Sequence, residues 1–223
     1  MAGAVKLSEV GKLRFHLGKL SWPEQESLSD EGWERIQSPS SRVGYTLAVL
    51  AGVMIILVLF GWLIAVSLFT SDNPVEQTGD PGSSPWGALI LALSLFIPLH
   101  EMIHAIWLPR MGFSPQTMMI IWPKKLWFSV YYDGCMSRGR WLLMRLAPFV
   151  CITTLTIGLL TLFYFEPGPY ILVIFLQLLF MLNGLGSGGD VVAVFWVLFQ
   201  VPAKTEICFI SGKGYWRLAD GSV

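Results

Sequence analysis

Residues 98–105 read Pro-Leu-His-Glu-Met-Ile-His-Ala, and they place two of the chain's three histidines, His100 and His104, around Glu101. On a helix, a spacing of four puts two imidazoles one turn apart on one face. Both can then reach a single tetrahedral Zn²⁺ at about 2.0–2.1 Å, while the intervening glutamate is offset enough to take a proton from water instead of joining the ligands. Pro98, just upstream, lacks an amide hydrogen and tends to kink a helix, which would open room beside this HExxH spacing.

The surrounding residues read as lipid-facing helix, where ionisable groups are costly unless they are paired or serve a function. Three on one helix therefore point to chemistry. The structural alternative is a hydrogen-bonded polar cluster that ties helices together. Haem ligation by the two histidines is a weaker possibility, and it would announce itself by strong visible absorption.

A catalytic zinc site takes a third protein ligand and leaves one position open. Inside the apolar sequence the remaining carboxylate is Asp190, preceded by Ser187-Gly188-Gly189. His100 and His104 lie 14 and 18 residues beyond Trp86, and Asp190 lies 20 beyond Tyr170. If both segments start at the outer interface, all three side chains fall in the same half of the bilayer. Asn183, close to two helical turns before Asp190, could share its face and donate to a tetrahedral oxyanion or make an interhelical hydrogen bond.

These residues need helices that cross a membrane. The 223-residue chain is 54% hydrophobic and 13% charged, against roughly 25% charged residues in a soluble domain. Its apolar residues come in blocks near the ~20 residues that span a bilayer. We expect an all-α polytopic membrane protein with about four transmembrane helices, at 43–69, 86–108, 141–165 and 170–201, the second carrying the HExxH residues. The last would run to roughly 48 Å as one helix, longer than the ~30 Å hydrocarbon core, so a break is expected near the glycines at 184–189. Residues 1–42 are expected to form an amino-terminal segment with one amphipathic helix, and 202–223 a tail. Thr-Met-Met-Ile-Ile-Trp and Leu-Trp-Phe-Ser-Val-Tyr-Tyr around Pro123-Lys124-Lys125 read as a small β-hairpin, and Glu-Ile-Cys-Phe-Ile with Tyr-Trp-Arg-Leu around Ser-Gly-Lys-Gly as a second. Gly44, Gly52 and Gly61 mark either a close helix contact or the ordinary glycine content of membrane helices.

Charge sets the expected orientation. Lys6, Lys12, Arg14, Lys19, Arg35 and Arg42 precede the first span, Arg110, Lys124, Lys125, Arg138 and Arg140 lie between the second and third, and Lys204, Lys213 and Arg217 follow the fourth. The other two loops have neither lysine nor arginine. Retention of positive charge inside then puts both termini, the hairpins and the middle loop in the cytosol. Arg145, near the start of the third span, could snorkel to the interface. The first 42 residues lack the apolar core and cleavage site of a signal peptide, so the first span is expected to serve as its own insertion signal. The net charge of zero gives no global basic surface for nucleic acid. His16 reads as a solvated tail residue, and Cys135, Cys151 and Cys208, with no paired spacing, as small apolar fillers.

His-Glu-Met-Ile-His on one membrane helix and Asn-Gly-Leu-Gly-Ser-Gly-Gly-Asp on a later one resemble the site-2-protease-like intramembrane metallopeptidases. The resemblance is closer to the small bacterial proteins grouped as zincin peptidases of unknown function, and it covers roughly residues 85–201, including Ala147-Pro148-Phe149. It implies a Zn²⁺ cofactor held by His100, His104 and Asp190, with Glu101 as general base and Asn183 in a catalytic supporting role. It also implies hydrolysis of membrane-bound or membrane-proximal peptides near the cytosolic face of a bacterial cytoplasmic membrane. The family's later motif ends in aspartate followed by glycine, whereas Val191 follows Asp190 here. The residues 117–132 offer an edge for an extended substrate to pair with, or form a simple membrane-surface hairpin. Against the peptidase stands a non-catalytic membrane scaffold that keeps the same ligands; the sequence sets no oligomeric state.

Overall fold

The computed structural model describes residues 14–17, 32–69, 85–122, 127–165, 169–210 and 212–219. Five helices carry most of the described residues: α1 (Ser41–Phe69), α2 (Pro85–Trp107), α3 (Arg138–Phe165), α4 (Tyr170–Gly186) and α5 (Gly188–Gln200). Among the described residues four stretches are long and apolar enough to cross a membrane, Ser41–Gly61, Trp86–Trp107, Arg138–Phe163 and Tyr170–Gln200, with mean hydropathy between 1.8 and 2.6. Val53, Met54, Leu57 and Val58 on α1 are exposed, as suits side chains that meet lipid instead of a protein core.

The all-α expectation is incomplete, because among the described residues seven strands form two sheets. One sheet holds β1 (Arg14–Leu17), β3 (Thr117–Trp122) and β4 (Trp127–Tyr132) in the order β1-β3-β4; the other holds β2 (Glu34–Arg35), β5 (Gly134–Ser137), β6 (Thr205–Ile210) and β7 (Lys213–Leu218) in the order β2-β7-β6-β5. Both hairpins read from sequence are present, β3–β4 with Trp122 opposite Trp127 and β6–β7 with Ile210 opposite Lys213. The additional strands come from the amino-terminal segment and from the approach to α3. His16 is accordingly a strand residue, in register with Ile120 across a parallel β1–β3 pair. The amphipathic helix suggested for the amino terminus falls largely outside the described residues.

The chain divides into two compact units, one of Met1–Gln37, Glu101–Met144 and Trp196–Val223, the other of Ser38–His100 and Arg145–Phe195. The first contains both sheets. Trp33, Cys208 and Tyr215 form a buried cluster there, with the Arg217 guanidinium 4.5 Å from the Trp33 ring centre and 3.0 Å from Glu206. Cys135 and Cys208 oppose each other across β5 and β6 and are joined as a disulfide. That corrects the reading of all three cysteines as fillers, since strand register brings together residues 73 positions apart; Cys151 alone is free. Arg140 donates to the carbonyls of Trp107 at 2.8 Å and Leu108 at 2.7 Å, so a positive charge satisfies the carboxyl end of α2, where the helix dipole is negative.

Tyr131 links the sheets. Its hydroxyl oxygen accepts the Gly212 amide at 2.8 Å. Burial pushes its pKa up from 10.0 to about 12, with the Gly212 hydrogen bond pulling the other way and Asp133 adding to the rise. Burial also raises Tyr132, against the pull of Arg140 and Arg110. Because the folded state holds the Tyr131 proton more tightly, this contribution to stability is complete below pH 10 and is lost as the pH rises toward 12. Thermal midpoints across that window should fall less steeply for Tyr131→Phe than for wild type, whatever constant offset the lost hydrogen bond introduces.

The helical unit is organised by glycine at one crossing. Ser40 opens α1, its Oγ accepting the Val43 amide at 3.4 Å. At Gly52 an added Cβ would lie 2.8 Å from the Leu185 carbonyl oxygen; at Gly188 it would run into the Ala48 carbonyl and lie 2.7 Å from the Gly52 nitrogen. Nothing lies within 4 Å of a Cβ at Gly61. Of the three α1 glycines, then, Gly52 makes the close backbone contact. Gly188→Ala should destabilise by about 1–3 kcal/mol or more through overpacking against backbone, while Gly61→Ala should be neutral or slightly favourable because alanine is the better helix former. Thermal unfolding of both variants in detergent checks the contrast.

α4 and α5 are separated at Ser187 alone, which keeps helical angles (φ −75°, ψ −8°). Its amide donates to the Asn183 carbonyl and its carbonyl accepts from Val191, each at 3.0 Å. The interruption therefore leaves the direction of hydrogen bonding intact, and its use is the close approach at Gly188.

Candidate metal centre

His100, Glu101 and His104 lie within little more than one turn of α2, and their potential ligand atoms are all within 4.8 Å of one another. Both imidazoles are buried. The spacing of the sequence accounts for this grouping, since residues four apart on a helix project from the same face.

The boundary between the two units falls inside α2, between His100 and Glu101. In the helical unit, Nε2 of His100 lies 3.1 Å from Oδ2 of Asp190, and the ring of Phe96 stands edge-on to the imidazole at 5.4 Å. The other Asp190 oxygen, Oδ1, accepts from Nη1 of Arg145 at 2.8 Å. Asp190 is in the first turn of α5, where the helix dipole favours a carboxylate. Burial that would be costly for a lone charge is thus offset by a guanidinium, an imidazole and a helix end.

In the sheet-containing unit, Nδ1 of His104 lies 2.7 Å from the Met144 carbonyl. A carbonyl only accepts, so Nδ1 is the donor in this contact, which orients the ring as the second partner of a metal-binding imidazole does. Glu101 is oriented from another direction: its Oε2 accepts the backbone N–H of Val130 at 2.8 Å. Among the described residues β4 pairs only with β3, so this amide belongs to the strand's outer edge.

The donor set fits zinc. Two imidazoles with a carboxylate are among the common ligand sets of catalytic zinc. The 3.1 Å between His100 Nε2 and Asp190 Oδ2 is a hydrogen-bond distance, and the potential ligand atoms that lie together are those of His100, Glu101 and His104.

Asn183 is placed differently. It is fully buried, and its Nδ2 donates to the Phe149 carbonyl at 3.2 Å and to Thr153 Oγ1 at 3.0 Å, while its Oδ1 accepts from Ser187 Oγ at 3.4 Å. Both amide hydrogens go to α3. Of the two roles open to it in the sequence, this is the interhelical hydrogen bond. Arg145, the Met144 carbonyl and the Val130 amide are participants that the sequence reading missed as parts of the site. The signal for Arg145 was available: an arginine inside one apolar span and a lone aspartate in another are expected to pair.

Residues 93–205, just over half of the 223-residue chain, match the family model described as "DUF3267: Putative zincin peptidase". No curated protein and no solved structure matches the chain.

Proposed function

The chain belongs to the "Putative zincin peptidase" family, and from that membership we propose that it is a zinc-dependent intramembrane peptidase acting on membrane-bound or membrane-proximal peptides near the cytosolic face. The observation that carries the reading is the His100–Glu101–His104 group, its two imidazoles buried, on a helix long and apolar enough to span a membrane. His100, His104 and Asp190 would hold the ion. Zinc, when bound, supplies Lewis-acid polarisation of a peptide carbonyl and of water.

The remaining work belongs to the chain's own groups. Glu101, with one carboxylate oxygen fixed by the Val130 amide, takes a proton from the attacking water as the water oxygen adds to the carbonyl carbon. It returns that proton to the nitrogen when the C–N bond breaks, so the amine leaves neutral. The Met144 carbonyl holds the His104 ring in one orientation, and Arg145 keeps the Asp190 carboxylate from turning. An extended peptide paired with the outer edge of β4 would run beside Glu101, since the Val130 amide on that edge already reaches its carboxylate. The peptide would be delivered by backbone pairing, with little demand on its side chains.

The placement of lysine and arginine supports a cytosolic position for both termini, the hairpins and the middle loop. That compartment keeps thiols reduced, so Cys135 and Cys208 would then be a dithiol, and alkylation followed by mass measurement in intact cells distinguishes the two sides.

One observation favours a second reading. Asp190 and Glu101 each have a protein partner, Arg145 and Val130, which is what a non-catalytic scaffold with a closed polar network would show. Zinc content of the purified protein, together with zinc-dependent cleavage of a membrane-anchored peptide, tests the peptidase against the scaffold: zinc without cleavage favours the scaffold, and absence of both removes the zincin reading.

A further inference from the structure

α2 ends at Trp107, and the chain reverses at once through a short 3₁₀ turn, Pro109–Gly112. Arg110, Met111 and Gly112 all have left-handed angles, with φ of 56°, 54° and 79°. Three such residues in a row fold the chain back against the helix it has just left. Gly112 is buried, and an added Cβ there would lie 3.0 Å from the Ala105 carbonyl oxygen and 3.3 Å from the Ala105 Cβ. Ala105 is two residues inside the end of the apolar stretch Trp86–Trp107, or about 3 Å along the helix axis. Gly112 therefore sits at the depth of the span, and its chain neighbours Met111 and Phe113 with it. Those two side chains are 61% and 69% exposed. We propose that this turn is a lipid-inserted wedge in the leaflet at the carboxyl end of α2, with Met111 and Phe113 among the acyl chains and Arg110 at the headgroup phosphates.

Lipid is the occupant that the chemistry of the turn fits. A backbone at this depth must satisfy its amides internally. Pro109 has no amide hydrogen, and the N–H groups of Met111 and Phe113 donate to the carbonyls of Leu108 and Arg110, each at 3.0 Å. Glycine would adopt the left-handed angles without steric cost, whereas arginine and methionine are strained in them. The turn thus holds two long side chains where a bare backbone would be easier, and both have a use in a leaflet. Methionine is apolar and adaptable. Arg110, also exposed, has an apolar stem that can lie along lipid while its guanidinium reaches the surface, where anionic headgroups attract it. Trp107, 39% exposed at the end of the span, is of the residue type that settles at this interface. The wedge rests on the membrane reading of α2 and needs neither a metal nor peptidase activity. Its consequence for the site is mechanical: it anchors the turn of α2 that carries His104 at a fixed depth.

The test uses the full-length protein in nanodiscs of phosphatidylcholine and phosphatidylglycerol, in a Cys151→Ser background that removes the free thiol. The fluorophore NBD is attached in turn to Met111→Cys and Phe113→Cys. Ile106→Cys, at an exposed position on the span itself, serves as the lipid reference, and Lys213→Cys, at an exposed position in the turn of the β6–β7 hairpin, as the aqueous one. Labels in the wedge should show blue-shifted emission, lose intensity to acyl-chain doxyl lipid as the Ile106 label does, and resist aqueous iodide. Raising the share of phosphatidylglycerol should shift the emission further to the blue, and Arg110→Gln should abolish that dependence. Quenching by iodide to the extent seen at Lys213 would place the turn in water and overturn the proposal. Resistance to both quenchers would overturn it as well, since a protein surface, from a second copy or another partner, would then cover the patch. A lipid dependence that persists in Arg110→Gln would remove the arginine from the phosphates. An Ile106 label open to iodide would remove the membrane reading of α2 and the wedge with it, whereas zinc content and cleavage decide the peptidase separately.

Discussion

Replacing Glu101 by glutamine is expected to lower the rate of peptide cleavage by about 10²–10⁴-fold, the usual contribution of a positioned general acid–base, with zinc content and thermal midpoint close to wild type. The separation is possible because of what holds this side chain. Val130 donates its backbone N–H to Oε2, and a carboxamide oxygen accepts that hydrogen bond as a carboxylate oxygen does. The substitution removes proton acceptance and little else. Glu101→Ala would remove the hydrogen bond as well, leave a strand amide without its partner, and lower the midpoint. If both variants lose cleavage and only alanine loses stability, the carboxylate acts by chemistry. A glutamine variant that cleaves within about twofold of wild type would contradict the assignment of Glu101 as base. The assay is cleavage of a membrane-anchored peptide in proteoliposomes, with elemental analysis and thermal unfolding of the same preparations.

The parts of this molecule that were legible in sequence are those set by short-range periodicity. The apolar blocks declare the long helices because each must be apolar for about 20 residues, and His100, Glu101 and His104 declare themselves because helical spacing alone puts them together. β3–β4 and β6–β7 were legible for a similar reason, a strand, a turn and a returning strand within one short window. By contrast β1, β2 and β5 have four, two and four residues, too few for an alternation to rise above noise. They exist because distant partners offer free backbone edges: β3 for β1, β7 for β2, β6 for β5. The Cys135–Cys208 pair was hidden for the same reason, since its proximity is a property of strand register. At the site, side-chain chemistry could be read and backbone chemistry could not. Nothing in the identity of Met144 or Val130 indicates that one offers a carbonyl to His104 and the other an amide to Glu101.

Asp190 is where a ligand and a counter-ion would look alike, and metal content distinguishes them. With His100 on Oδ2 and Arg145 on Oδ1, Asp190 either completes a zinc site whose carboxylate is steadied by arginine, or only neutralises that arginine. Wild-type protein purified in detergent should carry about one zinc per chain, and His104→Ala should lose it, because one imidazole and a carboxylate hold zinc far less firmly than a complete set of three. If Asp190 is a ligand, Asp190→Ala loses zinc as His104→Ala does, and Arg145→Met, which frees the carboxylate to rotate, weakens binding by about 10–100-fold. If Asp190 is only a counter-ion, Asp190→Ala keeps its zinc and instead becomes less stable, because a partly buried guanidinium has lost its partner; Asp190→Ala combined with Arg145→Met then recovers the midpoint, since removing both charges together is far less costly than removing one. Added zinc supplies an independent reading of the same variants. A ligand that binds only the folded state stabilises it by about 2.7 kcal/mol at a hundred times its Kd, so the zinc-induced rise in midpoint should vanish in Asp190→Ala under the first assignment and persist under the second.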